Sequence, residues 1–288
     1  MDYTYPSTTD VDYFYAKGIR FFRIPFCWER LQRSQLVPLY STDIAKLKAL
    51  VSYATGRGMT VAIEPQNFGR YYGQPVGGSV VPSSAFRDFW SRMASEFKDN
   101  QNVMFDLMNE PNTMPTEQWV SAANEAINGI RTSGVSNTIL VPGNGWDGAW
   151  SWGDNWYGTS NSVALLEVTD KNVLFEAHQY LDSDASGSYA TGCTSATAGP
   201  TKLQPFVDWL RTYGRKGIIG EFGAPNTPTC KTATLNMLDY MEANNDVLAG
   251  WVWWSGGSWW GDYLLNLSPN TKGVESPMLS WLTPYLQH

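Results

Sequence analysis

VMFDLMNEP, residues 103–111, sets out the plan of the whole chain in nine residues. A short run of β-formers too brief for a helix, 103–108, ends abruptly in polar Asn109 and Glu110, and Pro111 then stops the extended segment. The same grammar recurs on both sides. Runs at 20–26 (RFFRIPF), 59–64 (MTVAIE), 138–142 (TILVP), 173–178 (VLFEAH), 217–221 (GIIGE) and 249–254 (AGWVWW) read as strands. Between them lie longer amphipathic segments at 8–17, 41–57, 84–98, 116–133, 161–168, 201–214, 231–245 and 276–286, several opening on Ser, Thr or Pro. Strand and helix in strict alternation, with no low-complexity linker, predict an α/β chain that closes into a (β/α)8 TIM barrel forming a single catalytic domain over 1–288. The count is one strand short. The opening MDYTYPSTTDVDYF reads as loop and then helix, with at most a stub at 2–5 before Pro6. The first barrel strand is therefore expected to be absent or displaced, leaving apolar edges at 20–26 and 249–254 through which chains could associate, although a monomer is the expectation.

Composition narrows the partners. A formal charge of −7 and a pI near 4.9 argue against nucleic acid or an acidic membrane surface, and no apolar stretch approaches the roughly 20 residues of a membrane-crossing helix. With two histidines and no His/Cys/carboxylate run at ligand spacing, neither metal nor cofactor is expected. Aromatics make up 14% of the chain, and the clusters that its 14 Trp form late in the sequence sit in Gly-, Asn- and Asp-rich loops. There they are expected to be exposed as flat platforms for pyranose faces, the alternative being a Trp-rich core. Cys193 and Cys230 sit in Ser/Thr/Gly/Pro-rich loop sequence on either side of the sixth helical segment; they form one bridge or remain two thiols, and Cys27 reads as a buried thiol. The triplet Asn266-Leu267-Ser268 is a glycosylation sequon that hints at secretion, and since no leader is legible an extracellular form would be a processed one.

In a barrel of this type the working residues project from the C-terminal strand ends. Those ends carry Arg23, Gln66-Asn67, Asn109-Glu110, Asn144, His178 with Tyr180, Glu221 and Trp254. Glu110 and Glu221 are strand-end glutamates three βα units apart. In an eight-stranded barrel of radius about 7.7 Å, backbones three strands apart are about 14 Å distant, and two glutamates reaching about 4.5 Å inward leave about 5 Å. That gap suits a retaining glycosidase, whose carboxyls stand about 5–5.5 Å apart, rather than an inverting one.

The ordered set FDLMNEP (105–111), FEAHQYLDSDASG (175–187), RKGIIGEFGAP (215–225) and GWVWWSGGSWWGDY (250–263) resembles family five of the glycoside hydrolases, specifically its fungal-type secreted endo-β-1,4-glucanases. The resemblance spans essentially the whole chain. It implies that Glu110 is the acid/base and Glu221 the nucleophile, that Arg23 hydrogen-bonds Glu221 and holds it ionised, and that Asn109 binds the sugar 2-hydroxyl. His178 and Tyr180 would line the gap between the carboxylates, and Trp254 would form the platform under the sugar being cleaved. The pattern departs from the family after the second strand present, where His usually precedes Asn and this chain has Gln66-Asn67. Gln66 can exchange hydrogen bonds with a sugar but cannot carry a proton. Trp146, Trp150, Trp152 and Trp156, with Trp259 and Trp260, are candidates for stacking on successive glucose units, and Asp262 and Glu29 are candidate hydroxyl ligands or structural carboxylates. The implied activity is hydrolysis of cellulose or a related β-glucan. A β-mannanase, a β-1,3-glucanase and a catalytically weak carbohydrate-binding barrel stay open as alternatives.

Overall fold

A computed structural model describes residues 5–286; the proposed stub at 2–5 falls almost entirely outside them. In chain order the elements are α1 (Thr8–Ala16), β1 (Phe21–Phe26), α2 (Trp28–Leu31), α3 (Ser41–Thr55), β2 (Thr60–Pro65), β3 (Arg70–Tyr71), β4 (Gln74–Pro75), α4 (Ser83–Phe97), β5 (Val103–Asp106), α5 (Thr116–Thr132), β6 (Ile139–Pro142), α6 (Asn161–Ala164), β7 (Val173–His178), α7 (Ala198–Thr212), β8 (Gly217–Phe222), α8 (Pro228–Ala243), β9 (Leu248–Trp253) and α9 (Leu279–Leu282). They fall into two compact units, Phe21–Glu176 and Met1–Arg20 with Ala177–His288. All seven predicted strands are present. Sequence reading missed the single turn α2 and the two-residue hairpin β3–β4. It overran α6 and α9, each one turn of α-helix followed by a 3₁₀ turn.

In the unit Phe21–Glu176, strands run parallel in the order β1-β2-β5-β6-β7. The parallel register places Phe21 beside Thr60 and Ile139 beside Val173, so the polar residues after each strand gather at one end. β6 is buried along its whole length, as expected of a parallel strand covered on both faces. α4 turns Phe86, Phe89, Trp90, Met93 and Phe97 inward at helical spacing. Trp28 packs at 4.8 Å from Phe89, and Trp90 at 5.9 Å from Phe105. The indole nitrogens are not left orphaned: Trp90 donates to the Leu107 carbonyl and Trp119 to that of Pro142. Where α5 crosses α4, a Cβ on Gly129 would lie 2.5 Å from the Arg87 carbonyl, so only glycine permits this approach.

In the other unit, β8 and β9 are parallel, and β8 is buried throughout. α1 opens on a reciprocal capping box between Ser7 and Asp10, and α8 on Thr227 with Pro228 in its first turn. β1 and β9 are the end strands of the order, and Phe21, Phe22, Trp251 and Val252 on them are half-exposed. Among the described residues no helix is long and apolar enough to cross a membrane.

The expectation of exposed tryptophans needs correcting: half of the 14 are buried, Trp28, Trp90, Trp119, Trp152, Trp209, Trp253 and Trp281. Trp152 lies in a Gly-rich loop yet is fully enclosed, because the turn after β6 folds back over it. A Cβ on Gly143 would sit 2.8 Å from its ring.

Arg131 at the end of α5 makes a two-pronged contact with Asp170, 2.8 and 2.9 Å, which holds that carboxyl below its ordinary range. A depressed folded value means stability that is present above the unfolded value and lost as pH falls through the folded one. Asp170→Asn is expected to lower stability by about 1 kcal/mol near neutral pH, the pair being partly solvated, and by much less below pH ~3, as checked by thermal unfolding at both.

Candidate active site

In the unit Phe21–Glu176 the site is organised by Arg23 on β1. Its guanidinium is 3% exposed, donates from Nε to Asp106 Oδ2 at 2.6 Å and lies 3.2 Å from Glu176 and 3.4 Å from Glu64. Its Nη2 donates to Asn109 Oδ1 at 3.0 Å. That contact settles the amide's orientation: with Oδ1 occupied by a donor, Asn109 offers the opposite, N–H₂, end to anything else. The Asn109 backbone N–H is in turn tied to the Pro65 carbonyl at the end of β2. Glu110 follows in the left-handed region at φ +42°, with its carbonyl held by Asn112 Nδ2. A non-glycine residue there carries local strain, of the kind that clusters at working sites.

The turn after β2 differs from expectation. Asn67 uses both ends of its side chain internally, accepting from the Trp28 N–H at 2.8 Å and donating to Glu29 at 2.7 Å. Glu29 is 9% exposed and also accepts from the Tyr72 N–H and the Cys27 thiol. Asn67 and Glu29 therefore build the turn. Burial, then the neighbouring Glu29 carboxylate, pushes the half-buried Cys27 thiol up to about 12, so it is no nucleophile. Gln66 is fixed through its backbone N–H to the Phe26 carbonyl. Asn144 is likewise structural, donating to the Met114 carbonyl and to Thr116.

Two pairs of exposed rings lie in this unit: Phe68 with Trp146 at 6.1 Å and Trp150 with Trp156 at 5.3 Å. Trp146 and Trp156 are the most open, at 50% and 54%. Phe68 was missed in sequence; the only signal was its place before Gly69, where the chain turns in the left-handed region.

In the other unit Glu221, 6% exposed at the end of β8, accepts a 2.7 Å hydrogen bond from the Tyr180 hydroxyl. His178 Nδ1 lies 4.0 Å from its other oxygen. The Glu221 carbonyl accepts from the Gln179 N–H, which ties the two strand ends together. Tyr180 is itself held from behind. The Tyr189 hydroxyl accepts from the Leu181 N–H and donates to the Gly223 carbonyl, bridging the segments that carry Tyr180 and Glu221. Buried Asp182 gathers the N–H groups of Gly187 and Tyr189. Cys193 and Cys230 are bridged, with Cα atoms 5.2 Å apart, pinning the far end of this loop to the first turn of α8. The bridge decides between the alternatives open in the sequence.

Trp254 follows β9, and its N–H donates to the Phe222 carbonyl next to Glu221. Its ring meets Trp260 edge-on at 5.4 Å, and Trp260 packs on Tyr263 at 4.8 Å. Trp259 is 40% exposed and lies over Gly257, where a Cβ would collide with the ring. Asp262 is turned to its own loop, accepting from the Thr271 N–H and hydroxyl. Asn266 is also committed: it is 5% exposed, donates from Nδ2 to the Gly261 carbonyl and accepts from the Ser268 N–H.

The sequence matches the model of the family described as Cellulase (glycosyl hydrolase family 5) over residues 2–257. It is 38% identical to endo-beta-1,4-glucanase B of Aspergillus niger over 99% of this chain and 84% of that protein. Its fold superimposes on an endo-beta-1,4-glucanase of Xanthomonas axonopodis pv. citri bearing a triple mutation, with TM-score 0.96 and 43% identity, covering 99% of this chain and 92% of that one. It also superimposes on XacCel5A solved in complex with cellopentaose, with TM-score 0.95 and 43% identity over 99% and 91% of the two chains.

Because the acceptor nitrogen of Asn266 is buried and bonded, the folded protein produced in a glycosylating host is expected to carry no glycan there. Intact-mass and peptide mass spectrometry check this, and a glycopeptide containing Asn266 would contradict it.

Proposed function

Since the chain belongs to the cellulases of glycosyl hydrolase family 5, we propose that it hydrolyses internal β-1,4-glucosidic bonds of cellulose and related β-glucans with retention, Glu110 being acid/base and Glu221 nucleophile. The observation that carries the reading is Glu221 itself. An almost wholly enclosed carboxylate that accepts a 2.7 Å hydrogen bond from a tyrosine hydroxyl is oriented and kept as an acceptor, which is what attack on an anomeric carbon requires. The spacing read from the sequence, two strand-end glutamates three βα units apart, suits double displacement.

In the first half-reaction Glu110 gives its proton to the departing glycosidic oxygen while a Glu221 oxygen bonds to the anomeric carbon, forming a glycosyl ester. In the second, Glu110, now a carboxylate, takes a proton from water, whose oxygen displaces Glu221. Arg23 helps hold the nucleophile charged, and Asn109, with its amide N–H₂ as donor, takes the sugar 2-hydroxyl. His178 and Tyr180 flank the reacting carbon. Gln66, Trp146, Trp254, Trp259 and Trp260 contact successive glucose units. A single chain carries both carboxylates, so the reading needs neither a second subunit nor a cofactor, and the Cys193–Cys230 bridge supports an extracellular setting.

Glu110→Gln is expected to reduce kcat on cello-oligosaccharides by roughly 10²- to 10⁴-fold, and Glu221→Gln to abolish turnover. Azide is expected to restore turnover to Glu221→Gly with a product of inverted configuration. Near-wild-type rates in either Gln variant would discard the assignment. Reducing ends released from carboxymethylcellulose, mannan and laminarin separate the β-1,4-glucanase from its nearest rivals. Gln66→His, which restores a titratable group after β2, is expected to raise activity or shift its pH profile; an unchanged profile would show that position 66 serves only as a hydrogen-bonding group.

A further inference from the structure

Beneath Asn109 lies a group of acids larger than its cation can neutralise. Glu64, Asp106 and Glu176 are each 0% exposed and all lie within 3.4 Å of the one guanidinium of Arg23. Asp147, equally buried, places a carboxylate oxygen within 4.8 Å of one on Glu176. If every acid were ionised, Arg23 and its three contacts alone would bury a net charge of −2, and taking a proton is the less costly state for a buried carboxyl.

Asp106 has room for that proton. Asp106 Oδ2 is occupied by Arg23 Nε–H, whereas Asp106 Oδ1 is fully buried and no N–H or hydroxyl donates to it among the described residues. The Asp106 and Glu176 carboxyls share one donor, Arg23 Nε–H, at 2.6 and 3.2 Å, which sets them side by side. Two carboxyls hydrogen-bond to each other only when one carries the proton.

We propose that Asp106 works as a neutral carboxylic acid whose O–H is given to Glu176 and whose carbonyl oxygen receives Arg23, and that it is thereby the positioning residue for the Arg23–Asn109 pair. Burial first, then the fields of Glu176 and Glu64, hold its proton well above the ordinary carboxylate range, against the opposing pull of Arg23. Those three, Arg23 from β1, Glu64 from β2 and Glu176 from β7, are the charged groups facing it. The proton replaces a charge repulsion with a bond, so the guanidinium is fixed by one carbonyl-type acceptor and two carboxylates, Glu176 and Glu64, and still gives Nη2 to Asn109. The positioning role rests on the reading of Asn109 given above. The proton does not.

Asn is close to an isostere of the acid form, with a C=O for Arg23 and an N–H for Glu176, whereas Ala removes both. Infrared spectra of the whole protein at mildly alkaline pH, where surface carboxyls are ionised, are expected to show a carboxylic-acid carbonyl band that is absent from Asp106→Asn. Absence of the band in the wild type, or its persistence in Asp106→Asn, would overturn the proposal. On a soluble cello-oligosaccharide, Asp106→Ala is expected to lose about 10²-fold in kcat with little change in KM, and Asp106→Asn to recover most of it; Asn as impaired as Ala would overturn the positioning role. Because the folded chain keeps this proton to higher pH than the unfolded chain, its stability is greatest below the unfolded value and is lost as pH rises through the folded one. Asp106→Asn should not share that alkaline loss, which keeps the test decisive if the Ala variant does not fold. A wild type inactive on every β-glucan would defeat the functional reading while the infrared band still decided the location of the proton.

Discussion

One buried guanidinium organises half of the site. Arg23 reaches side chains that follow or close three other strands, Glu64 on β2, Asp106 and Asn109 at the end of β5, and Glu176 on β7. Removing a guanidinium from water is costly, and only geometry that satisfies its donors repays it. The strand ends are thus held in register by a group that tolerates little movement. The consequence is local: the amide of Asn109 is left with one orientation, and Glu110, the proposed acid/base, is the next residue along the chain.

The other unit solves the same problem without a cation. Glu221 is oriented by a phenol, and the phenol by a loop that would otherwise be loose, since 181–197 has no regular structure. Tyr189 staples that loop to the segment after β8, Asp182 gathers its backbone donors, and the disulfide fixes its end to α8. Each link alone is a modest interaction; together they restrict the Tyr180 ring, which Gly187 permits by leaving space where a Cβ would strike it at 2.9 Å. Rigid positioning of this kind is what a carboxylate needs if it is to act as a nucleophile, the role proposed for Glu221.

Much of this was legible in the sequence because short continuous apolar runs and their polar ends are local signals. β8 and its terminal glutamate, or β5 with Asn109 and Glu110, could be read from a few consecutive residues. What was not legible depends on contacts between distant segments. Asn67 looks like a free sugar ligand until the turn brings Glu29 and the Trp28 N–H to it. Trp152 looks exposed because its neighbours are glycines and aspartates, and the loop's fold alone encloses it. Asn266 satisfies a three-residue pattern while its nitrogen is spent on Gly261. The acids around Arg23 were invisible because each stands singly in its own strand, where an inward carboxyl resembles an error of patterning until the strands are paired.

The central claim is stereochemical: a covalent ester to Glu221 requires two inversions and therefore net retention. The most direct test is to follow the first minutes of hydrolysis of a soluble cello-oligosaccharide by proton NMR, before mutarotation equilibrates the new reducing ends. The account predicts that the β-anomer appears first and the α-anomer only by later mutarotation. Initial accumulation of the α-anomer would contradict it, because it would require water to attack the anomeric carbon directly, with a single inversion.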